Sequence, residues 1–160
     1  MRLAPTPIPM HHYPLFLNLT GQSVVVIGAG KVATRKIRSL LAAGAHVTVI
    51  SPHAKRLPNG VRWLKRRYRR GDLRGACLVV AATNDLKVNE EICAEAKRRK
   101  LLVNCVAPPS AGNFIVPAVA RRGRLTIAIS TGGVSPALAK RLRRDLERVL
   151  RKDYPQLRDG

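Results

Sequence analysis

A glycine-rich turn follows the first apolar run of the chain, and its residue types suit phosphate binding. The run Val24–Ile27 is β-branched and predicts a buried parallel strand. A GxGxxA pattern follows directly, from Gly28 to Ala33. In this pattern the first glycine permits a tight turn, the second lets backbone approach a pyrophosphate, and the helix N-terminus favours the anion. Gly28 and Gly30 therefore predict a dinucleotide site, and the alternative is a glycine-rich turn without a ligand.

The end of the second predicted strand carries Ser51-Pro52-His53, where a typical NAD site has an acidic residue. The hydroxyl of Ser51 suits a hydrogen bond to a ribose. The missing acid, with Lys55 and Arg56 nearby, would also tolerate a 2′-phosphate. The residue types at this strand end therefore leave NAD and NADP open.

Polar residues also follow the fourth and fifth predicted strands, whose carboxyl ends face the ligand crevice of a parallel sheet. Thr83 and Asn84 suit cofactor contacts, a helix cap, or both. The segment Asn104–Pro109 opens into the same crevice. The later segment Ser130–Pro136 places hydroxyls and glycines before a helix, which predicts an anion cradle or a capping loop.

Alternating strands and helices must position these residues, which predicts an α/β fold with a doubly wound, Rossmann-like parallel sheet. The predicted strands are 24–27, 47–50, 61–64, 78–82 and 101–106, with a helix from Val32 that closes at Gly44 and another at 88–99. Extended runs at 114–120 and 125–130 then predict a small β-hairpin.

A last helix is predicted to begin at Ser135-Pro136, since serine suits the N-cap and proline suits the first helical position. Its apolar stripe comprises Leu138, Leu142, Leu146 and either Val149 or Leu150. Such a stripe packs on its own sheet or on a second subunit, and we expect a dimer.

The composition is that of an ordinary globular protein. Among 160 residues, 46% are hydrophobic and 24% are charged. No apolar run approaches the ~18 residues of a membrane span, and the segment from Met1 to Met10 lacks the apolar core of a signal peptide. We therefore expect a cytoplasmic protein without a membrane role. Cys77, Cys93 and Cys105 lie far apart, which predicts reduced thiols, and neither cysteines nor histidines show the spacing of a metal site.

The net charge of +21 is the unusual property of the composition. Such a field attracts polyanions, which include nucleic acid and small substrates with many carboxylates. The alternative is a solvated basic surface without a specific partner. Aromatic residues make up only 4% of the chain, too few for a nucleic-acid stacking platform, so nucleic acid is not the expected partner.

Taken together, the motifs resemble those of the siroheme synthase N-terminal module, also known as the precorrin-2 dehydrogenase or sirohydrochlorin synthase family. The resemblance runs from about Tyr13 to Leu150 and is carried by VVVIGAGKVATRK, LVVAATND, VNCVAPP, NFIVPAVARRG and LTIAISTGGVSPALAKRLRRDLE. It implies NAD-dependent oxidation of precorrin-2 to sirohydrochlorin, with iron insertion in some members. It also implies a homodimer, with a tail at 1–12, an NAD-binding domain at 13–112 and a dimerisation and substrate-cleft region at 113–160.

The resemblance also implies which residues touch the ligands. Together with Ser51 and Asn84, the cofactor contacts are Gly28, Gly30, Lys31, Val32, Pro52, His53 and Thr83. The resemblance places Thr131 in the tetrapyrrole cleft, and we expect further substrate contacts at Asn104, Asn113, Ser135, Arg121 and Lys140. Basic residues among and around them, which include Arg122, Arg124 and Arg141, suit the carboxylates of the macrocycle.

Two departures from the family pattern affect the expected activity. Relatives carry an aspartate with a role in dehydrogenation and metal insertion where this chain has Ala107, and alanine neither moves a proton nor binds a metal. Relatives also continue into a further helical segment beyond the equivalent of Leu150, so the C-terminus is expected to be short and the cleft reduced.

Other functions therefore stay open beside the dehydrogenase. The first is a tetrapyrrole-binding or ferrochelatase-type protein without redox turnover, which Ala107 favours. The second is a nucleotide-gated regulatory domain, although such domains usually carry an acid where this chain has Ser51. We expect no structural metal.

Overall fold

The computed structural model describes residues 12–157. The predicted tail at 1–12 thus lies outside the described residues apart from His12. The chain forms two compact units, Leu15–Ile115 and the part from Val116 onward. The predicted boundary at 112 and the assignment of 113–160 to dimerisation remain predictions.

The first unit contains a five-stranded, all-parallel sheet in the order β3-β2-β1-β4-β5. Its elements, in chain order, are β1 (Ser23–Ile27), α1 (Lys31–Ala42), β2 (His46–Ile50), β3 (Arg62–Leu64), β4 (Leu78–Ala81), α2 (Leu86–Arg98), β5 (Leu102–Cys105) and a short 3-10 helix (Pro109–Ala111). The strand order reverses at β1, so the predicted doubly wound, Rossmann-like sheet is confirmed.

Both faces of the sheet are buried, which explains the continuous apolar strands. On one face α2 packs against β4 and β5, with Ile92 and Ala96 fully buried. On the other face α1 packs against β1 and β2 through the fully buried Ile37. Val32, in the first turn of α1, is 41% exposed.

The register of the strands brings their carboxyl ends to one edge of the sheet. Ile27, the last residue of β1, pairs with Ile50 on one side and Ala81 on the other. Ala81 in turn pairs with Cys105, the last residue of β5. The segments that begin at Gly28, Ser51, Ala82 and Val106 therefore leave the sheet side by side.

The second unit contains an antiparallel hairpin, β6 (Ala118–Arg122) and β7 (Leu125–Ile129), and the helix α3 (Pro136–Asp153). The first run was expected at 114–120, but β6 begins later and includes Arg121 and Arg122. Pairing of Arg122 with Leu125 leaves a two-residue turn, and Gly123 adopts φ +51 at its first position, where such turns favour glycine. The expected four-residue turn is therefore wrong.

The helix α3 begins as expected, with Ser135 as N-cap and Pro136 in the first turn. Its apolar residues divide between two neighbouring faces. Ala139 and Leu150 are buried, and α3 packs against β6 and β7. Leu138, Leu142 and Val149 remain 46%, 40% and 44% exposed. The predicted stripe is thus only partly buried within its own unit.

Candidate functional site

The glycine turn after β1 lies against the end of β4. Gly28 adopts φ +106, and its N–H donates to the carbonyl of Ile50 at 2.9 Å. A Cβ atom on Gly28 would lie 2.2 Å from the backbone oxygen of Ala82, which no side chain tolerates. Gly30 has an extended backbone, and a Cβ there would meet no atom within 4 Å. Gly28 thus serves the protein's own packing, whereas Gly30 keeps a space open in front of α1.

The N-terminus of α1 is the uncapped one among the three α-helices of residues 12–157. Asp85 caps α2 and Ser135 caps α3 with side-chain oxygens, but Gly30 provides no side-chain cap. The first turn of α1 contains no acidic residue, and Ala33 is buried against the sheet. The first N–H groups of α1 therefore have no intrahelical acceptor and face the space in front of Gly30. This arrangement fits the pyrophosphate of a dinucleotide.

The turn after β2 is fixed by its own hydrogen bonds. The hydroxyl of Ser51 donates to the carbonyl of His53 at 2.7 Å, and Trp63 Nε1 donates to the Ser51 carbonyl at 2.9 Å. Ser51 is 7% exposed, whereas Pro52 and His53 are exposed. The Ser51 hydroxyl proton is therefore already used within the turn, and it shapes the position of Pro52 and His53.

Asn89 of α2 joins the ends of β4 and β5 at the same edge. Its Oδ1 accepts from the N–H of Thr83 at 3.0 Å and from the Thr83 hydroxyl at 2.8 Å. Its Nδ2 donates to the carbonyls of Thr83 at 3.1 Å and Ala107 at 2.9 Å. Asn89 is fully buried, and these four bonds use its whole hydrogen-bonding capacity. Thr83 and Ala107 are thus held by one side chain, and the neighbouring Asn84 is exposed.

Asn89 was not among the predicted site residues, although the pattern of α2 contains a signal for it. Asn89 shares the helix face of Ile92, Cys93 and Ala96, which are buried. A polar residue on a buried helix face needs partners, because an unpaired buried amide is costly. The partners themselves required knowledge of which strand ends lie beneath that face.

Two further asparagines lie in β5 and in the loop that follows it. Asn113 Oδ1 accepts from the N–H of Val103 at 2.7 Å, and its Nδ2 donates to the carbonyl of Leu101 at 2.9 Å. Asn104 is 7% exposed and donates to the carbonyl of Phe114 at 3.1 Å, while its Oδ1 has no partner in the described chain. Asn113 therefore acts as a clamp on β5, and Asn104 retains an unused acceptor.

The loop Ser130–Pro136 in the second unit is organised by its own side chains. The Thr131 hydroxyl donates to the carbonyl of Ser135 at 3.1 Å and accepts from the Ser135 N–H at 3.2 Å. Ser135 Oγ caps α3 by accepting from the N–H of Leu138 at 3.2 Å. Of the two roles weighed for this loop, the structure shows the capping one.

The basic residues of the second unit differ in their surroundings. Arg121, Arg124 and Lys140 are exposed and form no ion pair with described residues. Arg122 is half-buried, and its Nε is buried without a hydrogen-bond partner in the described chain. A buried guanidinium nitrogen without an acceptor favours an incoming anion.

Among residues 12–157, no three His, Cys, Asp or Glu side chains come together in a group suited to a metal ion. Within the same part of the chain, none of the helices combines the length and the apolar character that crossing a bilayer requires.

Comparison with known proteins finds two family models along this chain. Residues 15–118 match an NAD(P)-binding family, and residues 122–148 match the central part of a sirohaem biosynthesis protein. Among similar solved structures is SirC, precorrin-2 dehydrogenase, with a TM-score of 0.76 and 36% identity. That similarity covers 91% of this chain and 74% of SirC.

Curated relatives are longer proteins. The siroheme synthase of Methylobacillus flagellatus is 40% identical over 154 residues, which cover 92% of this chain and 33% of that protein. The siroheme synthase of Pseudomonas fluorescens strain SBW25 is 39% identical over the same shares of both chains. This chain thus spans about a third of the length of these relatives.

Proposed function

The chain belongs to the precorrin-2 dehydrogenase family that includes SirC, and from this premise we propose that it oxidises precorrin-2 to sirohydrochlorin with NAD. The observation that carries the proposal is the uncapped N-terminus of α1, which lies behind the open space at Gly30. In this family fold, that is where a dinucleotide places its pyrophosphate.

Each strand end has a distinct task in holding the cofactor. Gly28 shapes the turn, and Gly30 would leave room for the pyrophosphate. The N–H groups of Lys31 and Val32 would face that group, and Pro52 and His53 would flank the ribose. Thr83, which follows β4, would lie toward the nicotinamide. When bound, NAD supplies the acceptor for the hydride that the macrocycle loses.

The basic surface of the second unit suits a substrate with many carboxylates. Arg121, Arg124 and Lys140 are exposed, and Arg122 has a buried Nε without a partner. Guanidinium groups pair with carboxylates through two parallel hydrogen bonds, which fix orientation as well as charge. The chain's own cations contribute to hydride transfer mainly by positioning the substrate.

Position 107 limits the rate of the reaction. Dehydrogenation releases a proton in addition to the hydride, and the Ala107 side chain has no group that accepts it. Ala107 nevertheless stays in place, because Asn89 holds its carbonyl at 2.9 Å. A carboxylate at this position would therefore start from a fixed backbone.

The decisive experiment is anaerobic incubation of the protein with precorrin-2 and NAD, followed through the absorbance of NADH and sirohydrochlorin. We expect slow turnover by the native chain and at least ~10-fold faster turnover by Ala107→Asp, the usual lower range for a general base being about 100-fold. Asn59→Asp, which adds the same charge at an exposed loop position of the same unit, is the charge-matched control. Unchanged turnover in Ala107→Asp would show that the absence of a proton acceptor at position 107 does not slow the reaction.

A tetrapyrrole-binding protein without redox turnover is the second candidate, and Ala107 is the observation that favours it. Saturable binding of sirohydrochlorin without NADH formation in both the native chain and Ala107→Asp would select this candidate. NADH formation by the native chain would exclude it.

We also propose a homodimer and a cytoplasmic location. The exposed Leu138, Leu142 and Val149 support the dimer, because an exposed apolar stripe on a helix suits a second subunit. Three free thiols, of which Cys93 and Cys105 are buried, support a reducing compartment.

A further inference from the structure

A basic pocket in the first unit lies away from the strand ends that the proposed function uses. It has a volume of about 400 Å³ and is lined by Arg70, Gly71, Arg74, Glu95, Arg98 and Arg99. Two segments form it: the connection between β3 and β4, and the C-terminal end of α2. Runs of basic residues mark both segments, KRRYRR at 65–70 and KRRK at 97–100.

The pocket lies at the amino edge of the sheet. Arg74 precedes the start of β4, and Arg98 precedes the start of β5. Gly28, Thr83 and Ala107 instead follow the ends of their strands. Since β4 has four residues, the two edges are separated by about 13 Å of strand. Substrate or cofactor bound at the carboxyl edge therefore leaves the charge of this pocket unused.

A hydrogen-bond network around Glu95 fixes the two segments to each other. Its carboxylate accepts from Tyr68 Oη at 2.5 Å, from the Gly71 N–H at 3.1 Å and from Arg99 Nε at 2.9 Å. The side chain of Glu95 is only 5% exposed. The pocket's one carboxylate is thus neutralised by Arg99 and engaged by three donors, so it does not pair with the other arginines.

Three arginines of the pocket are left without partners. Arg70, Arg74 and Arg98 are exposed, and their guanidinium groups form no ion pair or hydrogen bond with residues 12–157. Like charges repel, so the cost of gathering them is recovered when an anion binds among them. A tetrahedral phosphate offers acceptor oxygens in several directions, whereas a planar carboxylate offers them in one plane.

From these observations we infer a second ligand site: the pocket of Arg70, Arg74 and Arg98 binds a small anion that carries two or more phosphate groups. The Arg99–Glu95 pair and the Gly71 N–H hold the frame of the site. The three free guanidinium groups supply the contacts. The site is independent of the proposed dehydrogenation, because it lies at the opposite edge of the sheet.

The test is isothermal titration of the full chain with inorganic tripolyphosphate at a fixed ionic strength near 0.15 M, where exposed charges are screened beyond about 8 Å. We expect one saturable site. Arg74→Gln/Arg98→Gln should weaken binding at least ~10-fold, about 1.4 kcal/mol. The control, Arg38→Gln/Arg62→Gln, removes the same charge from exposed positions on α1 and β3 and should change binding less than ~2-fold, under about 0.5 kcal/mol.

Several results would overturn the site. Equal weakening by both double variants would show attraction to net charge alone, and absence of saturation would show no site. Citrate that binds as tightly as tripolyphosphate would contradict the preference for phosphate. Loss of tripolyphosphate binding in Gly30→Ala, which fills the space in front of α1, would contradict separation from the cofactor site. NAD affinity is measured on both variants, so failure here is distinguishable from failure of the proposed function.

Discussion

Gly28 and Gly30 lie close together in the chain but impose different constraints. Gly28 combines φ +106 with a Cβ position 2.2 Å from the Ala82 oxygen, whereas Gly30 has ordinary backbone and open space around it. The fold requires glycine at position 28, whereas the proposed approach of a pyrophosphate requires glycine at position 30. Substitution by alanine therefore separates the two requirements.

We expect Gly30→Ala to fold with a melting temperature within a few degrees of the native chain but to lose stabilisation by NAD. The added methyl group meets no protein atom, yet it fills the space for the pyrophosphate. Gly28→Ala should instead lose about 1–3 kcal/mol or more without any ligand, through backbone strain and displacement of Ala82. Thermal unfolding with and without NAD measures both. NAD stabilisation of Gly30→Ala equal to that of the native chain would disprove the assignment.

Asn89→Leu is expected to destabilise the protein by about 3 kcal/mol. The substitution keeps a side chain of similar length but leaves the Thr83 N–H and the carbonyls of Thr83 and Ala107 without their partner, and unsatisfied groups cost about 1–3 kcal/mol each. Urea unfolding gives the value. Asn84→Leu changes an exposed neighbouring asparagine outside this network and should lose less, so an equal loss in both variants would count against this account.

At the scale of residues, the sequence predicts those roles that depend on backbone type. GxGxxA is recognisable because only glycine fits at Gly28. The roles of Ser51 and Thr131 could not be predicted, since a hydroxyl suits a ligand or a neighbouring carbonyl equally well. In the structure both hydroxyls donate to a carbonyl within their own turn. The local backbone geometry decides whether each hydroxyl binds a ligand or a neighbouring carbonyl, and residue type alone does not specify that geometry.

Two acidic residues stabilise the connection between β3 and β4, which contains no helix. Asp72 accepts two hydrogen bonds from the guanidinium group of Arg66, at 2.7 and 2.8 Å. Glu95 accepts from Tyr68, Gly71 and Arg99. Burial raises the pKa of Glu95, but these donors outweigh it, and the net shift lowers the pKa below its usual value. Arg66 likewise holds the pKa of Asp72 below its usual value.

The pH dependence follows from the direction of these shifts. A carboxylate whose pKa is lower in the folded chain stabilises it above the unfolded pKa, about 4, and this stabilisation is lost as pH falls through the folded pKa. We therefore expect the urea midpoint of the native chain to fall below about pH 4–5. Glu95→Gln should be less stable at neutral pH and lose less on acidification. Glu91→Gln, which removes an exposed carboxylate from the same helix, is the control and should follow the native chain.

At the scale of elements, periodicity predicts the sheet and its helices well because both sheet faces are buried. The hairpin was placed with less success, since 114–117 is apolar but does not pair, whereas the charged Arg121 and Arg122 do. Pairing in a hairpin is set by its turn, and Gly123 fixed a register that apolar content does not indicate. For the connection between β3 and β4, the sequence likewise indicated only a run of basic residues and not its structure.

For the whole molecule, the exposed stripe of α3 predicts a self-association that one substitution should weaken. We expect Leu142→Glu to shift a dimer toward monomer by at least ~10-fold in dissociation constant, about 1.4 kcal/mol, because it places a charge in an apolar interface. Arg151→Gln, which changes the net charge equally on the same helix, should leave the dimer intact. Sedimentation equilibrium measures both. A native chain that is monomeric throughout would contradict the proposed dimer.

The overall organisation was predictable as far as it follows from chain order. A βαβ series followed by a hairpin and a helix specifies two units, because each has its own pattern. The distribution of basic residues to the amino edge of the sheet was not predictable. That distribution depends on which connections meet at one edge, and the segments at 65–74 and 97–100 are far apart in the chain.

The position of Asn89 also has a consequence for motion. The amide proton of Thr83 follows the end of its strand, yet its acceptor belongs to the side chain of a fully buried helix residue. Exchange of that proton with solvent then requires movement of α2 rather than fraying of β4. Because Asn89 also holds the carbonyl of Ala107, we expect local opening of α2 to release the Thr83 and Ala107 backbones together rather than as independent loops.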